Sequence, residues 1–250
     1  MKSLITGSVF SFIAICLFTN CQKETTTVTV HDTVTVKTTD TVRQNDTLIK
    51  TLVLRPGPDE GQNCLVNGSS LYAAYNINAN PDIVASSWTY YAQGGTPGNA
   101  RTYIKFIGLD GMPDSAIILS AKLSLYGISI GTASPEGNSG YPGSTYSVDN
   151  DCWLKRVTVD WNPDSVTWNN APPTTDVNQA SVPASTTKWN NDAKDIDVTG
   201  LVDDMLNTQN YGICLQLKTE QTYRSLSFAS CKVADSTKWP KLVVQYKLIH

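Results

Sequence analysis

Histidine is almost missing from this chain of 250 residues. Its two histidines are His31, in a low-complexity segment near the start, and His250, the last residue. With no histidine in the body of the chain, neither a Ser-His-Asp nor a Cys-His arrangement has a credible base. Zinc held by histidine is excluded on the same ground. The sequence also lacks an HExxH motif, paired CxxC motifs and a glycine-rich phosphate loop.

An excess of charge of one sign is lacking too. The chain has 19 Lys+Arg against 22 Asp+Glu, a net charge of −3 at pH 7. Nucleic-acid binding needs a basic footprint, so nucleic acid is excluded as a partner. Beyond residue 21 the sequence contains no apolar run long enough to span a membrane.

The first twenty residues are typical of a signal peptide. Lys2 supplies the positive start, and the apolar stretch Leu4–Phe18 is shorter than a membrane-spanning helix. The stretch leads to Cys21, which resembles the acylated cysteine of bacterial lipoproteins, and "QKE" after it resembles a surface-export signal. We therefore expect lipidation at Cys21, membrane contact through that anchor only, and a location at the outer membrane or cell surface. The alternative is an ordinary secretory signal with an unrelated cysteine.

Residues 21–51 are rich in Thr, Val and Asp and low in complexity. "DTV" or "DTL" recurs at Asp32, Asp40 and Asp46, and the segment has no aromatic residue and no glycine. Little apolar surface is available to bury, so we interpret it as an extended stalk. The alternative is an edge strand of the domain that follows.

Residues 52–250 form the predicted domain, which holds all six tryptophans and all eleven tyrosines. Short alternating or β-branched runs recur between Gly, Pro, Asn and Asp clusters, which predicts an all-β sandwich of jelly-roll type. One short helix interrupts it: "DVTGLVDDMLNTQNYG" places Leu201, Val202, Met205 and Leu206 on one side, and Thr199 can cap its start.

Several motifs in this domain resemble the DNRLRE domain family, which is related to disaggregatase-type repeats and to carbohydrate-binding modules that include alginate binders. The matching stretches follow the family order over nearly all of Leu52 to Tyr246: "LRPGPDEGQNCLV", "SSWTYYAQGG", "RTYIKFIGLDGMPDSAIILSAKLSLYG", "KRVTVDWNPDSVTWNNAPP", "DVTGLVDDML", "YGICLQLK" and "WPKLVVQY". The resemblance implies a jelly-roll sandwich found on secreted or surface proteins. It also implies that Trp161 and Trp168 are an architectural feature, so we interpret both as core or loop staples rather than sugar platforms.

Strand alternation gives a candidate ligand surface. Arg101, Tyr103 and Lys105 share one face of their strand, and Lys122 and Tyr126 point outward on the next. If the strands are neighbours, tyrosine faces can stack on sugars while the cations pair with uronate or sulfate groups. The alternative is a solvated sheet face. Secondary candidates are Tyr141 and Tyr146, in the long Gly-, Ser- and Pro-rich loop 131–151.

Four cysteines remain once Cys16 leaves with the signal and Cys21 is lipidated. If "YGICLQLK" and "RSLSFASC" pair as antiparallel neighbours, Cys214 lies opposite Cys231, and we predict a disulfide there. Cys64–Cys152 is the leftover pairing. The alternative is that all four are buried free thiols.

We expect no catalytic residue, no metal site and no cofactor. Paired carboxylates could serve a glycosidase, yet the domain's glutamates, Glu60, Glu136 and Glu220, all fall in predicted loops or turns. A structural calcium site is an alternative, with oxygen ligands drawn from Asp110, Asp114, Asp149 or Asp151.

The sequence thus predicts a non-catalytic surface lipoprotein that binds a polysaccharide, with an acidic polymer favoured. A structural or adhesive protein without a specific glycan, and a histidine-independent polysaccharide-cleaving enzyme, are the alternatives. The oligomeric state stays open.

Overall fold

The structure is a computed structural model that describes residues 26–30, 34–38, 42–44, 47–90, 94–146 and 148–248. The predicted signal peptide and the lipidation site at Cys21 lie outside the described residues. Within the described ranges, no helix has the length and apolar character needed to cross a membrane.

Those residues form fourteen β-strands and one α-helix. The helix, α1, spans Thr199–Asn207. The strands are β1 (Thr26–Val30), β2 (Val34–Thr38), β3 (Val42–Gln44), β4 (Thr47–Leu54), β5 (Gly61–Asn67), β6 (Asp82–Tyr90), β7 (Thr96–Phe106), β8 (Ala116–Leu125), β9 (Cys152–Val157), β10 (Thr174–Val182), β11 (Ala193–Asp197), β12 (Ile213–Leu217), β13 (Arg224–Ala229) and β14 (Lys241–Leu248).

Two antiparallel sheets face each other. The larger sheet has the order β10-β9-β12-β7-β6-β13, with β5 paired to β7, and the smaller sheet has the order β11-β8-β14-β4-β3. This arrangement confirms the predicted all-β sandwich with one short helix. Some consecutive strands pair directly, as β6 does with β7 and β9 with β10, but the chain also crosses repeatedly from one sheet to the other, as between β7 and β8.

The main core lies between the sheets. Leu215 and Phe228 of the larger sheet and Leu123 and Val244 of the smaller sheet are fully buried there. In β8 the alternation of the sequence is visible, because Leu123 is buried while Lys122, its neighbour, is half-buried on the outer side.

Helix α1 closes one end of this core. Leu201, Val202 and Met205 are buried, as the sequence predicts, and Leu206 packs against the same core. The predicted cap is wrong: Thr199 is the first helical residue, and its hydroxyl accepts a hydrogen bond from the Ala121 N–H at 2.9 Å instead.

The predicted boundary between stalk and domain falls inside strand β4. This strand begins at Thr47 and pairs with β14, so it enters the smaller sheet before Leu52. Strand β3 pairs with β4 at the edge of the same sheet, and β1 pairs with β2 in a separate hairpin. Part of the segment assigned to the stalk is therefore in strands of the domain.

Candidate functional site

The predicted ligand surface does not assemble. Arg101, Tyr103 and Lys105 lie on β7, in the larger sheet, whereas Lys122 lies on β8, in the smaller sheet, and Tyr126 directly follows it. The condition for the patch was that these two strands be neighbours. They are not, because the chain crosses from one sheet to the other between them.

Tyr103 is also buried, with only 2% of its surface exposed. Its ring packs against Trp161 at 5.6 Å between centroids, and its hydroxyl donates a hydrogen bond to the Pro172 carbonyl at 3.0 Å. The residue does lie on the outer face of the sheet, away from the main core, but loop 158–173 covers that face. The prediction that the Tyr103 ring is exposed on the surface of the sheet is therefore wrong, because the loop covers it.

The two β7 cations are already engaged with acids. The Nε of Arg101 lies 2.6 Å from Oε1 of Glu220, and the Nζ of Lys105 lies 3.8 Å from Oδ1 of Asp160. The Glu220 pair raises the pKa of Arg101, through the hydrogen bonds that its carboxylate accepts. These two residues do not form a free basic surface.

Lys122 and Tyr126 are engaged as well. Lys122 donates to Asp197 at 2.7 Å. Together with hydrogen bonds from Thr199, this contact lowers the pKa of Asp197 to about 2. The guanidinium of Arg55 lies over the Tyr126 ring, 5.2 Å from its centroid. The structure thus contradicts the prediction of a joint surface made by all five residues.

Loop 158–173 carries two tryptophans, Trp161 and Trp168, which differ in burial. Trp161 is buried, and its Nε1 donates to the Tyr211 carbonyl at 2.8 Å, so its interpretation as a staple is confirmed. Asn170 ties the loop, since its Oδ1 accepts from the Thr167 N–H at 2.6 Å. We name the buried group beneath this loop the Trp161 cluster: Cys64, Val66, Tyr103, Val157, Trp161, Val166 and Cys214. Trp168 packs only at its edge and stays half-buried.

The predicted disulfide between Cys214 and Cys231 is wrong. Strands β12 and β13 are separated by β7 and β6, and Cys214 lies opposite Tyr103 and Lys155. Cys64 and Cys152, like the other two, are buried free thiols. Burial raises the pKa of Cys214 to about 12 and that of Cys231 to about 11, so both thiols are held in the unreactive protonated form.

Uncovered aromatic rings lie elsewhere, at the end of strand β6. Trp88 meets Tyr146 edge to face at 5.0 Å and Tyr223 edge to face at 5.5 Å. Tyr146 and Tyr223 are stacked, with their centroids 4.9 Å apart and their planes 19° apart. Tyr146, one of the two secondary candidates, therefore joins an aromatic group. Tyr141 does not; its carbonyl closes a turn by accepting from the Ser144 N–H.

A second group of rings continues from the same strand. Tyr90 lies two residues after Trp88, on the same face of β6. Its ring meets Tyr72 at 6.0 Å, and Tyr72 meets Tyr75 at 6.5 Å. We name the whole series the aromatic band: Tyr75, Tyr72, Tyr90, Trp88, Tyr146 and Tyr223. Its two ends are the most open, with Tyr75 62% and Tyr223 41% exposed.

A cleft of about 210 Å³ lies in the middle of the band. One wall is formed by β6, with Trp88, Tyr90 and the hydroxyl of Ser86, and the other by residues 133–136. Glu136 is exposed on that second wall. Aromatic faces beside hydroxyl and carboxylate oxygens suit a ligand with apolar ring faces and hydroxyl edges.

Buried polar contacts hold the loop that forms this second wall. Asp82 accepts hydrogen bonds from the Thr132 and Ala133 N–H groups at 2.5 and 2.8 Å, and burial raises the pKa of its carboxyl group. Asn138 accepts from the Ser227 N–H at 2.8 Å. Fixed in this way at several points, the wall is in place before any ligand arrives, which reduces the ordering cost of binding.

The backbone at Tyr223 is unusual. Its φ is +74°, a conformation that L-residues rarely adopt and that costs about 1–3 kcal/mol. Its N–H donates to the Ser87 carbonyl at 2.8 Å, which anchors the turn to β6. A large exposed aromatic residue held in such a conformation indicates a functional position.

The residues considered for calcium do not converge. Oδ1 of Asp110 accepts from the Asn210 side chain at 2.9 Å, and Asp151 pairs with Lys218 at 2.8 Å. Asp114 and Asp149 are exposed. In the part of the chain that the structure describes, no three His, Cys, Asp or Glu side chains come together as a metal site.

Comparison with known proteins identifies a family. The family model described as carbohydrate-binding module family 96 matches residues 72–246, well over half of the chain and including every residue of the aromatic band. No curated protein matches the chain. The chain belongs to carbohydrate-binding module family 96.

Proposed function

We propose that this member of carbohydrate-binding module family 96 is a non-catalytic protein that holds a polysaccharide on the aromatic band. The observation that carries the proposal is the band itself: six rings in contact or on one strand face, open at both ends, with a polar-lined cleft of about 210 Å³ between them. Family membership supports a carbohydrate as the ligand.

The physical basis is the match between ring faces and sugar faces. Tyrosine and tryptophan offer large rigid contact areas and lose little conformational freedom on binding, since each has only two side-chain torsions. Tyr72 and Tyr146 are held edge-on or stacked by their neighbours, so their orientation is set in advance. A band with two open ends fits a chain of sugar residues better than a single sugar.

We propose further that the polymer is acidic. The cation that would contact it is Arg224, and not the lysines and arginine that the sequence analysis named. Arg224 follows Tyr223, and its terminal nitrogens donate to neutral oxygens, the Asp149 carbonyl and Oε1 of Gln221. It forms no ion pair with any carboxylate among the described residues. A uronate bound near Tyr223 would therefore meet a cation whose charge is not already neutralised.

We further propose that the protein acts at the cell surface, anchored through Cys21. The sequence alone supports this part. Changing Cys21→Ser should release the protein from the membrane fraction or block its processing, whereas Cys64→Ser should leave fractionation unchanged. Unaltered outer-membrane fractionation of the Cys21 variant would contradict the anchor without touching the glycan proposal.

Affinity electrophoresis through gels that contain neutral or acidic polysaccharides tests the ligand. The full chain should be retarded by at least one polymer, and the double variant Tyr75→Ala/Tyr223→Ala should lose about tenfold or more in affinity. Tyr126→Ala is the matched control, a tyrosine outside the band, and should bind like the wild type. Retardation of the double variant equal to wild type would contradict the band.

Two further outcomes separate the alternatives. A folded wild-type protein that no polymer retards would support a structural or adhesive role. Release of reducing ends or unsaturated products from a retained polymer would identify an enzyme. If the bound polymer is acidic, binding should weaken as salt rises, and Arg224→Gln should reduce that salt dependence.

A further inference from the structure

We propose that the protein has a second sugar-binding site, a groove beside Trp168 that takes a neutral sugar residue. This inference rests on the proposed carbohydrate-binding function but not on the aromatic band. The groove has a volume of about 430 Å³, within the range of roughly 300–1,000 Å³ that ligand sites occupy. Its lining includes Gly68, Gly98, Asn99, Trp168, Glu220 and Gln221.

The groove and the band lie on opposite faces of the same strands. Gly68, at the groove, directly follows Asn67, whose side chain donates to the Tyr90 hydroxyl of the band at 2.7 Å. Asn99 lines the groove, while Ala100 packs under the band side with Val84. Successive residues of a strand point to opposite faces, so one sugar residue cannot contact both sites.

The aromatic wall of the groove is positioned by a glycine. A Cβ at residue 68 would come within 2.5 Å of the Trp168 ring, so only glycine lets the ring lie this close to the backbone. Gly98 similarly leaves room for Ser69, whose Cβ would lie 2.6 Å from a Cβ at residue 98. The Arg101 guanidinium lies 4.9 Å from the Trp168 ring centroid and fixes it further. Trp168 is therefore held in place while remaining half-exposed to the groove.

The polar wall is a carboxylate whose charge is already compensated. Arg101 donates to both oxygens of Glu220, at 2.6 and 2.8 Å, and Asn99 donates to Oε2 at 3.1 Å. A carboxylate can accept about four hydrogen bonds, so Oε1 retains acceptor capacity for a ligand hydroxyl. The Glu220 side chain is 22% exposed, which leaves it within reach of a ligand.

This wall decides the class of sugar. The Arg101–Glu220 pair is neutral overall, and Arg101 is committed to it, so a uronate stacked on Trp168 would gain no ion pair from Arg101 and would face a carboxylate oxygen. Hydroxyl groups, in contrast, can donate to Glu220. Gln221 also lines the groove. Its amide oxygen accepts from Arg224 at 3.1 Å, and its amide nitrogen can donate a hydrogen bond to a ligand. The groove thus suits a neutral sugar that stacks on Trp168.

Indole N–H signals in nuclear magnetic resonance spectra can report the two sites separately. The full chain, labelled with ¹⁵N-tryptophan, would be titrated with neutral gluco-, manno- and xylo-oligosaccharides and with an oligouronate. We expect a neutral oligosaccharide to shift the Trp168 signal. In the Glu220→Gln variant, the affinity obtained from that titration should be about tenfold weaker, because one charged hydrogen bond is lost. Trp168→Phe assigns the signal, and Trp239, whose Nε1 donates to the Val233 carbonyl and whose ring lies against Gly57, is the control that should not move.

The variants distinguish failure of this inference from failure of the proposed function. Tyr223→Ala should abolish shifts at Trp88 and leave those at Trp168. If a ligand shifts the Trp88 signal alone, the band binds the sugar and the proposal of a second site is wrong. If the ligand shifts the Trp168 signal alone, the groove binds the sugar and the proposed role of the aromatic band is wrong. Shifts at neither tryptophan in the folded protein would overturn both, and a Trp168 response to the oligouronate but to no neutral sugar would overturn the stated specificity.

Discussion

Two aromatic groups are built on strands of the larger sheet, and only one of them is open. In the Trp161 cluster, loop 158–173 covers Tyr103 and Trp161, and both polar atoms of these rings are hydrogen-bonded to backbone carbonyls. In the aromatic band, Tyr75 and Tyr223 project from the surface. The residue types are the same, so the covering loop, and not the composition, separates a structural group from a candidate binding surface.

The two groups also differ in backbone strain. None of the residues of the Trp161 cluster has a positive φ, whereas Tyr223 of the band does. A buried cluster gains stability from packing and needs no strain. At Tyr223, an unfavourable conformation is retained although the ring contributes less burial, which is the pattern expected where function and stability compete. The comparison predicts that variants of the first group act on stability and variants of the second on binding.

The largest effect on stability is expected from Trp161→Ala. The change removes a buried indole, its contact with Tyr103 and the hydrogen bond to Tyr211, and should lower the free energy of unfolding by about 3–5 kcal/mol. Denaturant unfolding measures this loss. Polysaccharide affinity per folded molecule should not change, and a selective loss of binding with normal stability would reverse the roles of the two groups.

Tyr103→Phe should have a smaller effect of the same kind. It keeps the ring and removes only the hydroxyl that donates to the Pro172 carbonyl at 3.0 Å, leaving a buried carbonyl without that donor. A loss of about 1–2 kcal/mol in the free energy of unfolding follows. Tyr126→Phe, at a half-buried tyrosine outside the cluster, is the control. Weaker glycan binding by the Tyr103 variant would restore the ligand role that the sequence assigned to it.

Much of the local structure could be predicted from the sequence. Alternation in "RTYIKF" correctly places Arg101, Tyr103 and Lys105 on the outer face, because side chains of a strand alternate whatever their neighbours are. Alternation does not reveal which strands pair or which loop folds over a face. These are long-range properties, and they account for the errors at Tyr103 and at the Cys214–Cys231 pair.

The candidate site was only partly visible in the sequence. Tyr146 was a secondary candidate because it lies in a long loop. Tyr72, Tyr75 and Tyr223 come from separate segments that only the fold brings together. One local signal was available. In "SSWTYY", Trp88 and Tyr90 are two residues apart, which puts both rings on one face of a strand, next to small Ser86.

Replacing Tyr223 tests the strain in the band directly. Glycine accepts a φ of +74° without steric cost and alanine does not, so Tyr223→Gly should be more stable than Tyr223→Ala by about 1 kcal/mol. Both variants should lose polysaccharide affinity, because both lack the ring. Thermal or denaturant unfolding compares the two proteins. Equal stabilities would show that the turn relaxes and that the conformation carries no strain.

The smallest effect is expected at the ion pair of Lys122, a residue that the sequence placed in the ligand surface. Asp197 accepts hydrogen bonds from Lys122 Nζ at 2.7 Å and from Thr199 Oγ1 at 2.6 Å, and its pKa is lowered to about 2. The unfolded value is about 3.9, so the folded state prefers the ionised form. The resulting stabilisation is fully present above about pH 4 and is lost as pH falls from about 4 to about 2. Because the pair is largely exposed, it should be worth less than about 1 kcal/mol.

Unfolding measured across this pH range should therefore show a small decline that Asp197→Asn abolishes and Lys122→Ala reduces. Lys122→Ala leaves the Thr199 hydrogen bonds to Asp197 intact, so a part of the decline should persist in that variant. At neutral pH neither change should alter polysaccharide affinity, since both residues lie on the smaller sheet, away from the band and the groove. A decline of equal size in the Asp197→Asn protein would show that other carboxylates cause it. Weaker glycan binding by Lys122→Ala would place a ligand contact on the smaller sheet, and the division between a covered structural face and an open binding face would no longer hold.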